Sequence, residues 1–124
     1  MIHPDFTILF VDNPLASAAF YRDLLGVEPV ESSPTFALFV LSNGMKLGLW
    51  SRHTAQPSVT AESGSMEICY RLEKTADVDR TYGEWAKKGL RVLQTPAELD
   101  FGYTFVATDP DGHRLRVYAR IEAV

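Results

Sequence analysis

The sequence holds one cysteine, Cys69, among 124 residues. A single thiol closes no intrachain disulfide and builds no structural zinc cluster. Long apolar runs are missing as well, since no stretch approaches the ~18 consecutive apolar residues of a membrane-spanning helix. The opening MIHPDFTILFVDNP has no basic n-region and soon turns polar, so no secretory signal is expected and the protein is expected in the cytoplasm. Basic residues are outnumbered, with 12 Lys and Arg against 16 Asp and Glu and a net charge of −4. That balance argues against a protein that wraps phosphate backbone. There is no glycine-rich phosphate loop and no nucleophile elbow. His3, His53 and His113 are scattered, and no two stand at the i, i+4 spacing of a helical metal site. With 46% apolar residues, the chain has the material for the core of one domain, and we read 1–124 as that domain.

What is present is one pattern that occurs twice. Asp5 to Val11 is rich in β-branched and aromatic residues, as in a strand. Asn13 and Pro14 then supply an N-cap and the ring favoured at the first helical position, and Gly26 closes the helix. Thr35–Leu41 and Met45–Trp50 flank Asn43-Gly44, which suits a two-residue hairpin turn. Residues 51–64 are small and polar and read as a linker. Thereafter Met66, Ile68, Tyr70 and Leu72 alternate with polar residues. A helix over about Thr75–Lys88 carries Val78, Tyr82, Trp85 and Ala86 along one face and ends at Gly89. A short strand near Leu90–Leu93, a loop around Pro96 and a hairpin, Phe101–Thr108 with His113–Arg120, complete the chain. The order βαβββ, twice over, implies an α+β fold of two tandem modules, about 1–50 and 65–124. They are expected to form a curved mixed sheet with helices on the convex face.

Alternation along the strands assigns side chains to the concave face. If Leu115, Val117 and Ala119 lie under the helices, then Arg114, Arg116, Tyr118 and Arg120 face the groove. A four-residue turn after Thr108 sets Phe105 opposite Arg116 and Tyr103 opposite Tyr118. In the first module Lys46, Gly48 and Trp50 face the groove opposite Leu41, Phe39 and Ala37. Phe6, Ile8 and Phe10 join them from the first strand, and Glu67, Cys69 and Arg71 from the strand that opens the second module. Flat apolar walls with a few charged groups suit a planar, partly polar small molecule. Cys69 reads as a packing residue and His113 as a surface residue after a turn.

Two segments, Phe20-Tyr21-Arg22-Asp23-Leu24-Leu25-Gly26 and Thr108-Asp109-Pro110-Asp111-Gly112-His113, resemble the vicinal oxygen chelate superfamily. That group includes glyoxalase I, extradiol dioxygenases, thiol-transferring fosfomycin-resistance enzymes and bleomycin-resistance binding proteins. Its enzymes hold one divalent metal at four positions, which by this resemblance fall on Phe6, Gly48, Glu67 and Arg116. Of these only Glu67 is a metal ligand; phenyl and hydrogen have no donor atom, and guanidinium is a permanent cation. The resemblance also implies that Glu67 and Arg116 lie within hydrogen-bonding reach. Leu47-Gly48-Leu49-Trp50-Ser51 and the ending Asp109 to Val117 look most like the phenazine-antibiotic-resistance members, which sequester flat aromatic drugs, often at a homodimer interface; Trp50 matches their stacking tryptophan.

The expectation is therefore a metal-free binding protein without a cofactor or catalytic residues, which encloses a planar aromatic metabolite or antibiotic. Trp50, Phe6, Phe39, Glu67, Tyr103, Phe105, Arg116 and Tyr118 are its candidate ligand-binding residues. A homodimer is expected, with no nucleic-acid or membrane partner. The alternatives are a glyoxalase-like or dioxygenase-like enzyme with a relocated metal site, and a dimeric structural domain whose groove is filled.

Overall fold

The computed structural model describes residues 1–121, so the last three residues of the second module lie outside the described residues. The chain divides into two compact units, Met1–Glu62 and Ser63–Val124. The first contains β1 (Phe6–Val11), α1 (Pro14–Leu25), β2 (Glu31–Ser32), β3 (Phe36–Val40) and β4 (Lys46–Ser51). The second contains β5 (Glu67–Leu72), α2 (Thr75–Lys87), β6 (Arg91–Leu99), β7 (Gly102–Thr108) and β8 (Arg114–Ala119). Each unit has its own four-stranded mixed sheet, in the orders β1-β4-β3-β2 and β5-β8-β7-β6. The first strand of each unit pairs in parallel with its last, and the other pairings are antiparallel. The repeat read in the sequence is thus a repeat of topology, an α+β fold of two tandem βαβββ modules, each with its own mixed sheet. None of the described helices is long and apolar enough to cross a membrane.

The helix ends follow from local chemistry. Asn13 Oδ1 accepts from Ala16 N at 3.2 Å, Pro14 begins α1, and Gly26 closes it at φ 71°. At the end of α2, Gly89 N donates to Ala86 O and Leu90 N to Trp85 O, a Schellman closure that satisfies two carbonyls.

Both hairpins read in the sequence differ from that reading by one residue, in opposite senses: the first loop is one residue longer than the two-residue turn expected, and the second is one shorter than the four-residue turn expected. Leu41 N donates to Met45 O across a three-residue loop, Ser42-Asn43-Gly44, with Gly44 at φ 91°. Asp109 N donates to His113 O across Pro110-Asp111-Gly112, with Gly112 at φ 90°. Three-residue loops place their last residue in the left-handed region, where glycine has no steric penalty. Either change shifts the register by one, and in a sheet such a shift sends every side chain of the shifted strand to the other face. Hence Phe39 pairs with Leu47, Phe105 with Val117, and Tyr103 with Ala119.

These pairings set the cores. In the first unit α1 packs on β3 and β4, and Leu9, Val11, Ala37, Phe39, Leu47 and Leu49 are buried together with Ala18 and Tyr21 of the helix. In the second, Phe105 is enclosed by Tyr82 and Trp85 of α2, each at a ring-centroid distance of 5.4 Å, and Tyr70 meets Trp85 at the same distance. Burying a side chain of this size contributes roughly 1.5–3 kcal/mol. β6 runs farther than expected, through Pro96. It is an edge strand with two irregularities in its pairing, a place where a missing N–H is tolerated.

Candidate functional site

Three of the candidate residues leave the groove. Phe39 and Phe105 are fully buried on the helix side of their sheets. Tyr103 is on the helix side too, and its hydroxyl donates to Asp79 Oδ1 of α2 at 2.6 Å. That bond holds the Tyr103 phenol above its ordinary pKa, because the carboxylate favours the protonated form. The cause in each case is the one-residue difference in the hairpin loops. Phe6, Trp50, Glu67, Arg116 and Tyr118 stay on the faces turned away from the helices.

In the first unit that face is aromatic. Phe6, Ile8 and Phe10 lie beside Lys46, Gly48 and Trp50 in the β1–β4 register, and Phe36 pairs with Trp50 from β3. The Trp50 ring centroid is 6.1 Å from Phe10 and 6.5 Å from Phe36, the latter edge to face. Gly48 makes this packing possible. A Cβ there would stand 2.9 Å from the Phe6 ring, closer than real side chains approach, and a tight 3.1 Å from the Phe36 ring. Phe36 takes the place assigned to Phe39; only the loop length, which Asn-Gly leaves open, distinguishes the two.

In the second unit the corresponding face is charged. Glu67 accepts from Arg116 Nε at 2.7 Å and Nη2 at 3.0 Å, the bidentate geometry of guanidinium and carboxylate. Arg114 Nη2 is 2.7 Å from the same carboxylate. The hydrogen bond from Arg116, with the charges of both arginines, holds the Glu67 carboxyl below the usual range against the opposing effect of burial. Arg116 Nη1 donates to Thr104 Oγ1 at 3.2 Å, and its guanidinium stands 5.5 Å from the Phe101 ring centroid. Phe101 in turn meets Tyr118 edge to face at 5.8 Å. Arg116, Phe101 and Tyr118, with Arg71, Arg120 and Asp100, line a cleft of about 550 Å³. Phe101 and Thr104 escaped the sequence reading: the first lies in the turn before β7, and the second faces the cleft side only in the observed register.

The residues at the four positions implied for a metal do not fit one. Phe6 and Gly48 have no donor atom, and both oxygens of Glu67 accept from arginines. Asp109, Asp111 and His113 have ligand atoms within 4.8 Å of one another. Asp109, however, already accepts from the amides of Asp111 and His113 and lies 2.7 Å from His113 Nδ1. This is a lock on the β7–β8 turn, and it explains why His113 is buried where a surface residue was expected. His53 is exposed and 2.7 Å from Asp12. Desolvation and the Glu67 charge push the Cys69 thiol up, away from the thiolate a nucleophile needs.

A model of the glyoxalase/bleomycin resistance protein/dioxygenase superfamily matches residues 3–117. The phenazine antibiotic resistance protein EhpR of Enterobacter agglomerans is 33% identical over 119 residues, which cover 94% of this chain and 91% of that protein. A protein of Agrobacterium tumefaciens, solved by NMR in solution, is 61% identical with a TM-score of 0.91, over 98% of this chain and all of the other. A glyoxalase-related enzyme from Fulvimarina pelagi shares the fold at 23% identity, with a TM-score of 0.84 over 97% of this chain and 89% of its own. On the span of the family match and the identity to its relatives, this chain belongs to the glyoxalase/bleomycin resistance protein/dioxygenase superfamily.

Proposed function

We propose that the protein is a binding protein of the resistance type, which takes up a planar aromatic metabolite or antibiotic in the cytoplasm and releases it unchanged. The observation that carries this reading is the set of rings on the helix-free face of the first unit, where Trp50 packs with Phe10 and with Phe36. Such a face offers stacking area, and Lys46 on it is ion-paired with Asp5. The second unit, taken by itself, has a cleft with Phe101 and Tyr118 beside a guanidinium, and its volume is in the range of small-molecule sites. Similarity to a phenazine antibiotic resistance protein supports the same class of ligand.

The proposal includes a homodimer. Phe6, Ile8 and Val40 are about 40% exposed or more on one face of the first sheet, an apolar patch that a second copy would cover. The binding reading is tested by calorimetric titration of the protein with phenazine and with a flexible, non-planar compound of similar size. Saturable binding of the planar compound alone supports it; no binding of either removes it.

A further inference from the structure

We infer that the ligand carries a carboxylate, and that Arg71 and Arg120 receive it. This rests on the binding reading above and narrows the ligand to a planar aromatic anion. The protein as a whole is acidic, at −4, yet the helix-free face of the second sheet is basic. Alternation places Glu67, Cys69 and Arg71 of β5 beside Arg114, Arg116 and Tyr118 of β8, with Arg120 next in the same alternation. One glutamate thus stands among four arginines.

The ion pairs divide these arginines into two kinds. Glu67 takes Arg116 through two bonds and Arg114 through one, and Thr104 takes a further donor of Arg116. Arg116, the cation first suggested by the sequence, is therefore already engaged, and a ligand would have to compete with Glu67 for it. Among the described residues, Arg71 and Arg120 have no ion-pair partner. Both line the 550 Å³ cleft that contains Phe101 and Tyr118, where Asp100 is the one carboxylate. Both also line the neighbouring hollow at the start of α2, which adds Lys74 and Glu73. A cleft with clustered cations concentrates an anion by its field, and a guanidinium offers paired donors to a carboxylate. A ring against Phe101 and Tyr118 would bring a substituent within reach of these two side chains.

The test compares phenazine-1-carboxylate with unsubstituted phenazine, by calorimetry, on the wild-type chain and on the double variant Arg71→Gln, Arg120→Gln. Both arginines are exposed, so the fold is retained, which an unchanged thermal midpoint verifies. The carboxylate should bind roughly tenfold more tightly than phenazine to the wild type. The double variant should lose that preference with its affinity for phenazine unchanged, and the wild-type preference should shrink as ionic strength rises. Equal affinity of the wild type for both compounds would overturn the inference and leave the sequestration reading standing. A preference that survives in the double variant would overturn the assignment to Arg71 and Arg120. Equal loss of both ligands would show a structural role and overturn it too. Binding of neither compound would overturn the inference and the sequestration reading together.

Discussion

Arg116 grips Glu67 with two nearly parallel bonds, Nε to Oε1 at 2.7 Å and Nη2 to Oε2 at 3.0 Å, across adjacent parallel strands. The side chains are 14% and 25% exposed, so the pair is shielded enough to matter and wet enough to form without a large desolvation cost. Replacing Glu67 with Gln keeps the shape and removes the charge that two arginines share. Glu67→Gln should lower the unfolding free energy by about 1–3 kcal/mol, read from denaturant midpoints.

The same pair gives the protein an acid-sensitive component of stability. The folded-state pKa of Glu67 is depressed below its ordinary value of 4.5, chiefly by the Arg116 hydrogen bond. Below 4.5 the unfolded chain therefore binds more protons at this site than the folded chain. The contribution is complete above that value and is lost as pH falls through the lowered folded pKa. The stability difference between wild type and Glu67→Gln should be constant near neutrality and shrink under acid. A difference that grows on acidification would refute this.

Phe105 and Phe39 are core residues, whatever their aromatic character suggests. Phe105→Ala and Phe39→Ala should each cost about 3–5 kcal/mol of stability. Phe36→Ala, on the helix-free face, should cost less. Chemical denaturation of the three variants ranks them, and the reverse order would mean that the strands face the other way.

That contrast shows where the sequence was legible and where it was not. The helix ends were readable because Asn13-Pro14, Gly26 and Gly89 each meet a specific backbone requirement. The facing of β4 and β8 was readable because Leu47 and Leu49, and Leu115 and Val117, alternate with polar residues and glycine. The facing of β3 and β7 was not. Phe36-Ala-Leu-Phe-Val40 is apolar at every position, so its pattern is indifferent to a shift, and only the loop length decides. Asn43-Gly44 serves a two-residue turn as well as the three-residue loop observed, and Asp109-Pro110-Asp111-Gly112 serves a four-residue turn as well as the three-residue loop observed. Glu67 with Arg116 came through the family resemblance; the engagement of Arg114 with the same carboxylate required the structure.

The homodimer predicts a sedimentation mass of twice 13.9 kDa. Ile8→Lys, which places a charge in the exposed apolar patch of the first unit, should shift the protein toward the monomer. A monomer mass for the wild type at micromolar concentration would remove the dimer from the proposal.

The most direct measurement is the fluorescence of Trp50 during titration with phenazine. The chain has two tryptophans, and Trp85 is buried under the second helix's packing, so Trp85→Phe leaves Trp50 as the reporter. Stacking a flat ring on Trp50 should quench its emission saturably. An aromatic pair contributes roughly 0.5–1.5 kcal/mol beyond area burial, so Trp50→Ala should weaken binding by about twofold to tenfold in a parallel calorimetric titration. Saturable quenching with that loss of affinity is the predicted result. Unquenched emission, with affinity unchanged in Trp50→Ala, would contradict a protein that sequesters planar aromatic compounds on this face.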